Sequence, residues 1–132
     1  MTIDTLSILK ASGAETSGTD GAGTALDLKG PWGLIYAEIR VTAVAGAPPS
    51  ALDLTFEASA DNSHFFTVAR APQITGVGVY RVAIFGIAGA DQITTTPDYF
   101  TGFRAAPRYL RKNSVVTAGG ADSVTFSIHL TA

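Results

Sequence analysis

The sequence predicts an all-β protein: an antiparallel β-sandwich or jelly roll of about eight strands with no substantial helix. Three observations carry this. First, Ile35, Ala37, Ile39, Val41 and Ala43 alternate with Tyr36, Glu38, Arg40 and Thr42, and Leu52, Leu54, Phe56 and Ala58 alternate with Asp53, Thr55 and Glu57. Successive side chains on a strand point to opposite faces, so each run has one apolar and one wetter face. Second, clusters of Gly, Pro, Asn, Asp and Ser punctuate the chain at the short intervals of a strand-and-turn protein. Third, no stretch shows a convincing helical pattern.

The elements follow in order. Residues 2–9 are expected to form a first strand, with Leu6 and Ile8 on one face. Residues 11–23, rich in Gly, Ser, Thr and Ala and without periodicity, read as a flexible loop or as an arm that orders against a neighbouring subunit. Residues 24–28 form a short strand with Leu26 and Leu28 facing in. The turn 29–33 carries Trp32, the only tryptophan, which either caps one end of the core or stands exposed at a contact site. The two long runs within 34–58 read as a hairpin joined by the Pro-rich loop 46–50. Asp61-Asn62-Ser63 is a polar turn, since these side chains bond their own backbone. A strand over 65–69 should put Phe66 and Val68 inward, and 73–78 reads as a kinked edge. Residues 79–85 form another strand, with Tyr80, Val82 and Ile84 opposite Arg81 and Ala83. Residues 86–102 make a long connection, a length that is often functional. Residues 103–116 are expected to be a strand with basic flanks. After a Gly-rich turn, the last strand alternates Val124, Phe126, Ile128 and Leu130 with Ser123, Thr125, Ser127 and His129.

At 132 residues the chain is expected to be a single domain, residues 1–132, large enough to fold without metal or disulfide. It contains no cysteine, so nothing requires an oxidising compartment. Met1-Thr2-Ile3-Asp4 lacks the basic and apolar pattern of a signal peptide, and no apolar run approaches the roughly 20 residues of a membrane span. No membrane partner is expected. Charged residues are 15%, against about 25% in an average soluble domain, and mean hydropathy is +0.26. Such a composition fits a Gly/Ala/Thr-rich β protein, or a subunit that hides much of its surface in an assembly. The net charge of −2 gives no case for nucleic-acid binding, which needs a basic face.

Catalytic patterns are missing. His64 lies in a polar turn and His129 on the polar face of the last strand, neither with a partner at metal-ligand spacing. Asp53 and Glu57 are about 13 Å apart along a strand, too far for paired glycosidase carboxylates. Asp61-Asn62-Ser63 lacks the alternating acids and terminal Glu of a calcium loop. No Gly-x-Ser-x-Gly elbow occurs, and Gly76-Val77-Gly78 opens no helix. The expectation is a protein that is not an enzyme and has no cofactor, metal or small-molecule substrate. Arg104, Arg108, Arg111 and Lys112 form the one basic cluster, beside Tyr99, Phe100, Phe103 and Tyr109. Plain surface and nucleic-acid platform are alternatives, but Arg and Tyr are the residues that anchor protein contacts. Trp32, Tyr99, Phe100, Phe103, Arg104, Arg108 and Arg111 are therefore the candidate interface residues.

Several segments have a recognisable order. A short strand and a Ser/Thr/Gly stretch lead into Val41-Thr42-Ala43. Leu52-Asp53-Leu54-Thr55-Phe56-Glu57-Ala58-Ser59-Ala60-Asp61 follows, then Tyr109-Leu110-Arg111, then a Gly-rich turn into Ser123-Val124-Thr125-Phe126-Ser127-Ile128-His129-Leu130. In this order the chain resembles the small β-sandwich virion structural proteins of tailed bacteriophages, over most of its length. Those proteins often carry Trp where this chain has Phe65 or Phe66, and the connection 86–102 is longer than usual. The resemblance implies a capsid decoration (cement) protein on the outer capsid surface of the virion. Such a protein is commonly a homotrimer that bridges neighbouring subunits of the major capsid protein. A tail or fibre component is the alternative within that class, and a carbohydrate-binding module with exposed aromatics is the alternative outside it.

Overall fold

The computed structural model describes residues 8–29, 35–46, 49–85, 108–117 and 123–131. These residues contain nine strands and no helix: β1 (Ile8–Glu15), β2 (Gly21–Ala22), β3 (Leu26–Asp27), β4 (Ile35–Val44), β5 (Ala51–Ser59), β6 (Phe66–Arg70), β7 (Gly78–Phe85), β8 (Tyr109–Thr117) and β9 (Val124–Thr131). Every pairing is antiparallel. Sheet I runs β1-β9-β4-β7. Sheet II runs β2-β8-β5-β6, with β3 also on β8. Gly21 and Ala22 pair with Ser114 and Asn113, and Leu26 and Asp27 with Leu110 and Tyr109. Thus β2 and β3 occupy one strand position, broken in its middle. Four positions in each sheet, in this order, make an eight-position jelly roll.

The inward faces follow the alternation in the sequence. Ile35, Ala37, Ile39 and Val41 of β4 and Leu52, Leu54, Phe56 and Ala58 of β5 are buried. They join Val82 and Ile84 of β7 and Val124, Phe126, Ile128 and Leu130 of β9 in one core between the sheets. Tyr80, Phe66 and Leu26 pack against it. Burying apolar area contributes about 25 cal/mol per Å2, so these stripes are what hold the layers together.

The expected hairpin over 34–58 does not form. The neighbours of β4 are β9 and β7, and those of β5 are β8 and β6. The two runs lie in opposite layers, so that each apolar stripe meets the other across the core. Gly46, at φ 99°, helps turn the corner, and Ser50 donates both its backbone N–H and its hydroxyl to Ala45 O, at 2.9 and 2.8 Å. Of all consecutive strands, only β5 and β6 are hydrogen-bonded neighbours among the described residues. Nearly every strand must find a partner distant in sequence, a topology that folds slowly.

Residues 11–23 are also corrected. They are built into the sandwich rather than forming a free arm. Residues 11–15 complete β1, with Gly13, Ala14 and Glu15 opposite Phe126, Thr125 and Val124. Thr16 O accepts the backbone N–H groups of Thr19 and Asp20, closing a compact turn, and β2 then joins β8. Two register shifts in β1, between Ile8 and Lys10 and between Lys10 and Gly13, explain why no period of two is visible there. A bulge resets which face the next side chain takes. The strand expected over 2–9 is seen from Ile8 onward, and residues 2–7 lie outside the described residues. So does the connection 86–102.

Candidate functional site

Strand β8 sits between β5 and the β2/β3 position, and its two faces do different work. Tyr109, Arg111, Asn113 and Val115 alternate with the buried Leu110, Lys112, Ser114 and Val116. On the outer face Arg111 lies directly opposite Glu57 of β5. Its Nε donates to Glu57 Oε1 at 2.7 Å, and its guanidinium covers the Phe65 ring at 3.7 Å. Asn113 Nδ2 donates to the other Glu57 oxygen at 3.2 Å. Arg108 turns the other way. Its Nε and Nη2 donate to the two oxygens of Asp27, at the end of β3, at 3.0 and 2.9 Å. The Arg108 fork, then the Lys29 N–H, hold the Asp27 carboxyl below its ordinary range.

The basic cluster suggested by the sequence is thus dispersed. Arg108 and Arg111 reach to opposite sides of β8, each already occupied by a carboxylate. Lys112 is not on the surface at all. Of the remaining candidate interface residues, Trp32, Tyr99, Phe100, Phe103 and Arg104 lie outside the described residues. Neighbours in sequence on a strand take opposite faces, so a run of basic residues cannot make one basic patch.

Lys112 enters a cluster between the sheets that sequence reasoning missed. Its ammonium donates to Glu15 Oε2, Gly21 O and Ser114 Oγ, each at 2.8 Å. The Ser114 hydroxyl donates to Glu15 Oε1 at 2.6 Å. All three side chains are buried. A second lysine stands nearby. Lys10 Nζ lies 4.0 Å from Glu15 Oε2 and 4.1 Å above the Phe126 ring. It donates to the carbonyls of Phe126, Gly13 and Ala11 at 2.8, 3.0 and 3.1 Å. Burial pushes the Lys10 pKa down, with Glu15 raising it and Lys112 lowering it further. Every donor and acceptor here is matched, as a buried polar network requires. The signal was present in β8 itself, where Lys112 and Ser114 fall on the inward phase between Leu110 and Val116.

The outer face of sheet I carries a charged row. Glu38 accepts from Arg40 Nε at 2.6 Å and from Arg81 Nε, its cross-strand partner, at 3.4 Å. Arg40, and to a lesser degree Arg81, hold the Glu38 carboxyl below its usual range. Tyr36 lies beside this row and lines a shallow hollow with Glu38, Arg81 and Thr131. Tyr80 instead packs on the core and donates its hydroxyl to Gly76 O at 2.8 Å. Tyr36 and Tyr80 therefore do not form the common aromatic platform that a sugar-binding reading needs.

At the 61–64 turn, Asp61 accepts the backbone N–H groups of Ser63 and His64 at 2.9 Å and the Ser59 hydroxyl at 2.8 Å, and its other oxygen lies 2.7 Å from His64 Nδ1. Asn62 takes the left-handed conformation, φ 61°. Among the described residues no group of three or more His, Cys, Asp or Glu could hold a metal ion. Compared with known proteins, the chain matches no family model and no curated protein.

Proposed function

We propose that this chain is a non-enzymatic virion structural protein, a capsid decoration (cement) protein. It would bridge and stabilise major capsid protein subunits from the outside of the shell, as a homotrimer. One observation carries the reading: four of the segments that resemble phage virion proteins lie on central strands. Val41-Thr42-Ala43 lies on β4, residues 52–59 of the second run on β5, Tyr109-Leu110-Arg111 on β8 and residues 124–130 of the last run on β9. The resemblance thus concerns the frame on which both layers are built, and the low charge supports a protein whose surface is partly covered in use. A jelly roll is also a fold that viral capsid domains use, although fold alone does not set function. The physical role is linkage. A clamp that binds only the assembled shell stabilises that state by mass action.

Cryo-microscopy of the parent particle tests this directly. Density for the sandwich outside the shell is expected. Absence of the protein from purified virions overturns the proposal, and density below the head moves it to the tail or a fibre.

A further inference from the structure

We propose that the outer face of sheet II is a self-complementary contact between two copies of this chain. The case rests on which charges the fold leaves unmatched. Among the described residues, Arg40, Arg81, Arg108 and Arg111 each pair with a carboxylate, and Arg70 pairs with none. On the same sheet face Asp53 meets no cation among the described residues, only the Gln73 amide, at 3.3 and 3.4 Å. Both are exposed, and both line one hollow of about 220 Å3 with Thr55, Asn113 and Val115. Val115, directly opposite Asp53 on β8, is 55% exposed.

A free cation, a free carboxylate and an uncovered valine in one patch fit a second copy of the same patch. In a two-fold contact, residue i meets j while j meets i, so Arg70 of each copy answers Asp53 of the other. The nine-residue β8 and β5 and the five-residue β6, spaced about 4.8 Å apart, offer roughly 360 Å2 of face per copy. That is under half the usual share of a specific interface, so the contact belongs to the weak class. It does not depend on where the protein resides, and it differs from a three-fold assembly on a shell.

Sedimentation across a concentration series, with light scattering, reads the contact. The wild-type chain should pass from monomer to dimer, or from trimer to hexamer if three-fold contacts also form. Asp53→Arg and Arg70→Asp should each weaken this step by about tenfold or more. Mixed one to one, the two variants should associate again, because the first then carries two cations in the patch and the second two carboxylates. Val115→Asp should also abolish the step. A mass that does not change with concentration, or a doubling that none of these variants alters, overturns the proposal. A trimer unaffected by them would do so while leaving the decoration reading intact.

Discussion

Arg111 and Lys112 are consecutive residues on one strand, and each holds a carboxylate at nearly the same distance, 2.7 and 2.8 Å. They differ in their surroundings. The Arg111 side chain keeps 27% of its surface and Glu57 16%, whereas Lys112 and Glu15 keep 7% and 9%. The outer pair shares its field with water and an aromatic ring. The inner pair is cut off from solvent and must satisfy every polar atom from within the protein. Similar geometry therefore gives unlike energetics: removing one partner outside frees a carboxylate to be hydrated, while removing one inside strands a buried charge.

The sharpest way to break this contrast is Lys112→Ala. Leaving the buried Glu15 with only the longer Lys10 contact, at 4.0 Å, should destabilise the fold by about 3 kcal/mol, read from chemical denaturation. Replacing the whole charged set, Glu15→Leu with Lys112→Met and Lys10→Met, should recover much of that loss, since apolar side chains of similar volume in place of a buried ion set are often neutral. If the triple variant is as unstable as the single, the loss is not one of charge burial. Next in size is Gly23→Ala. A Cβ there would stand 3.1 Å from Lys112 Cε and 3.2 Å from Cγ. The lysine is pinned by its three hydrogen bonds, so the stem cannot give way, and about 1–3 kcal/mol should be lost.

On the outer side, Arg111→Ala should cost about 1 kcal/mol, combining a partly exposed ion pair with its stacking on Phe65. High salt should reduce that difference and leave the Lys112→Ala effect largely unchanged. The smallest effects belong to fully exposed groups. Asp61 is held well below the ordinary carboxyl value of 3.8, chiefly by the His64 backbone N–H and then by the His64 ring, the Ser63 N–H and the Ser59 hydroxyl. Because its folded pKa lies below its unfolded one, its contribution is complete above about pH 4 and fades as pH falls further. Asp61→Asn should flatten the acid limb of the stability profile and barely change neutral stability. Arg108→Ala should leave the denaturation midpoint essentially where it was.

Much of the fold was legible because its central strands alternate cleanly. The inward sets of β4, β5, β7 and β9 can be read directly from the residue pattern, and they are buried as the pattern requires, except that Tyr80 is half-buried and that Ala43, beyond a register shift after Val41, is exposed. β1 was hard to read for the opposite reason. It is an edge strand with two bulges, and besides Leu9 what it buries is a glutamate, so hydrophobicity gives no period to follow. On the surface, chain neighbours are not spatial ones: Arg108, Arg111 and Lys112 point in three directions from one short stretch, to Asp27, Glu57 and Glu15.

By itself, the sequence determined that this is a two-layer β protein, where its long strands lie along the chain and which side of each is greasy. Those properties follow from the two-residue repeat of an extended backbone, which is local. Only the tertiary structure decided that β4 and β5 face each other instead of pairing, and that a lysine on β8 finds its counter-charge across the sandwich on β1. It alone also decided that, among the described residues, Arg70 and Asp53 are left without opposite charges. Strand pairing and charge matching join residues many tens of positions apart, and no local repeat encodes which distant partner will be met.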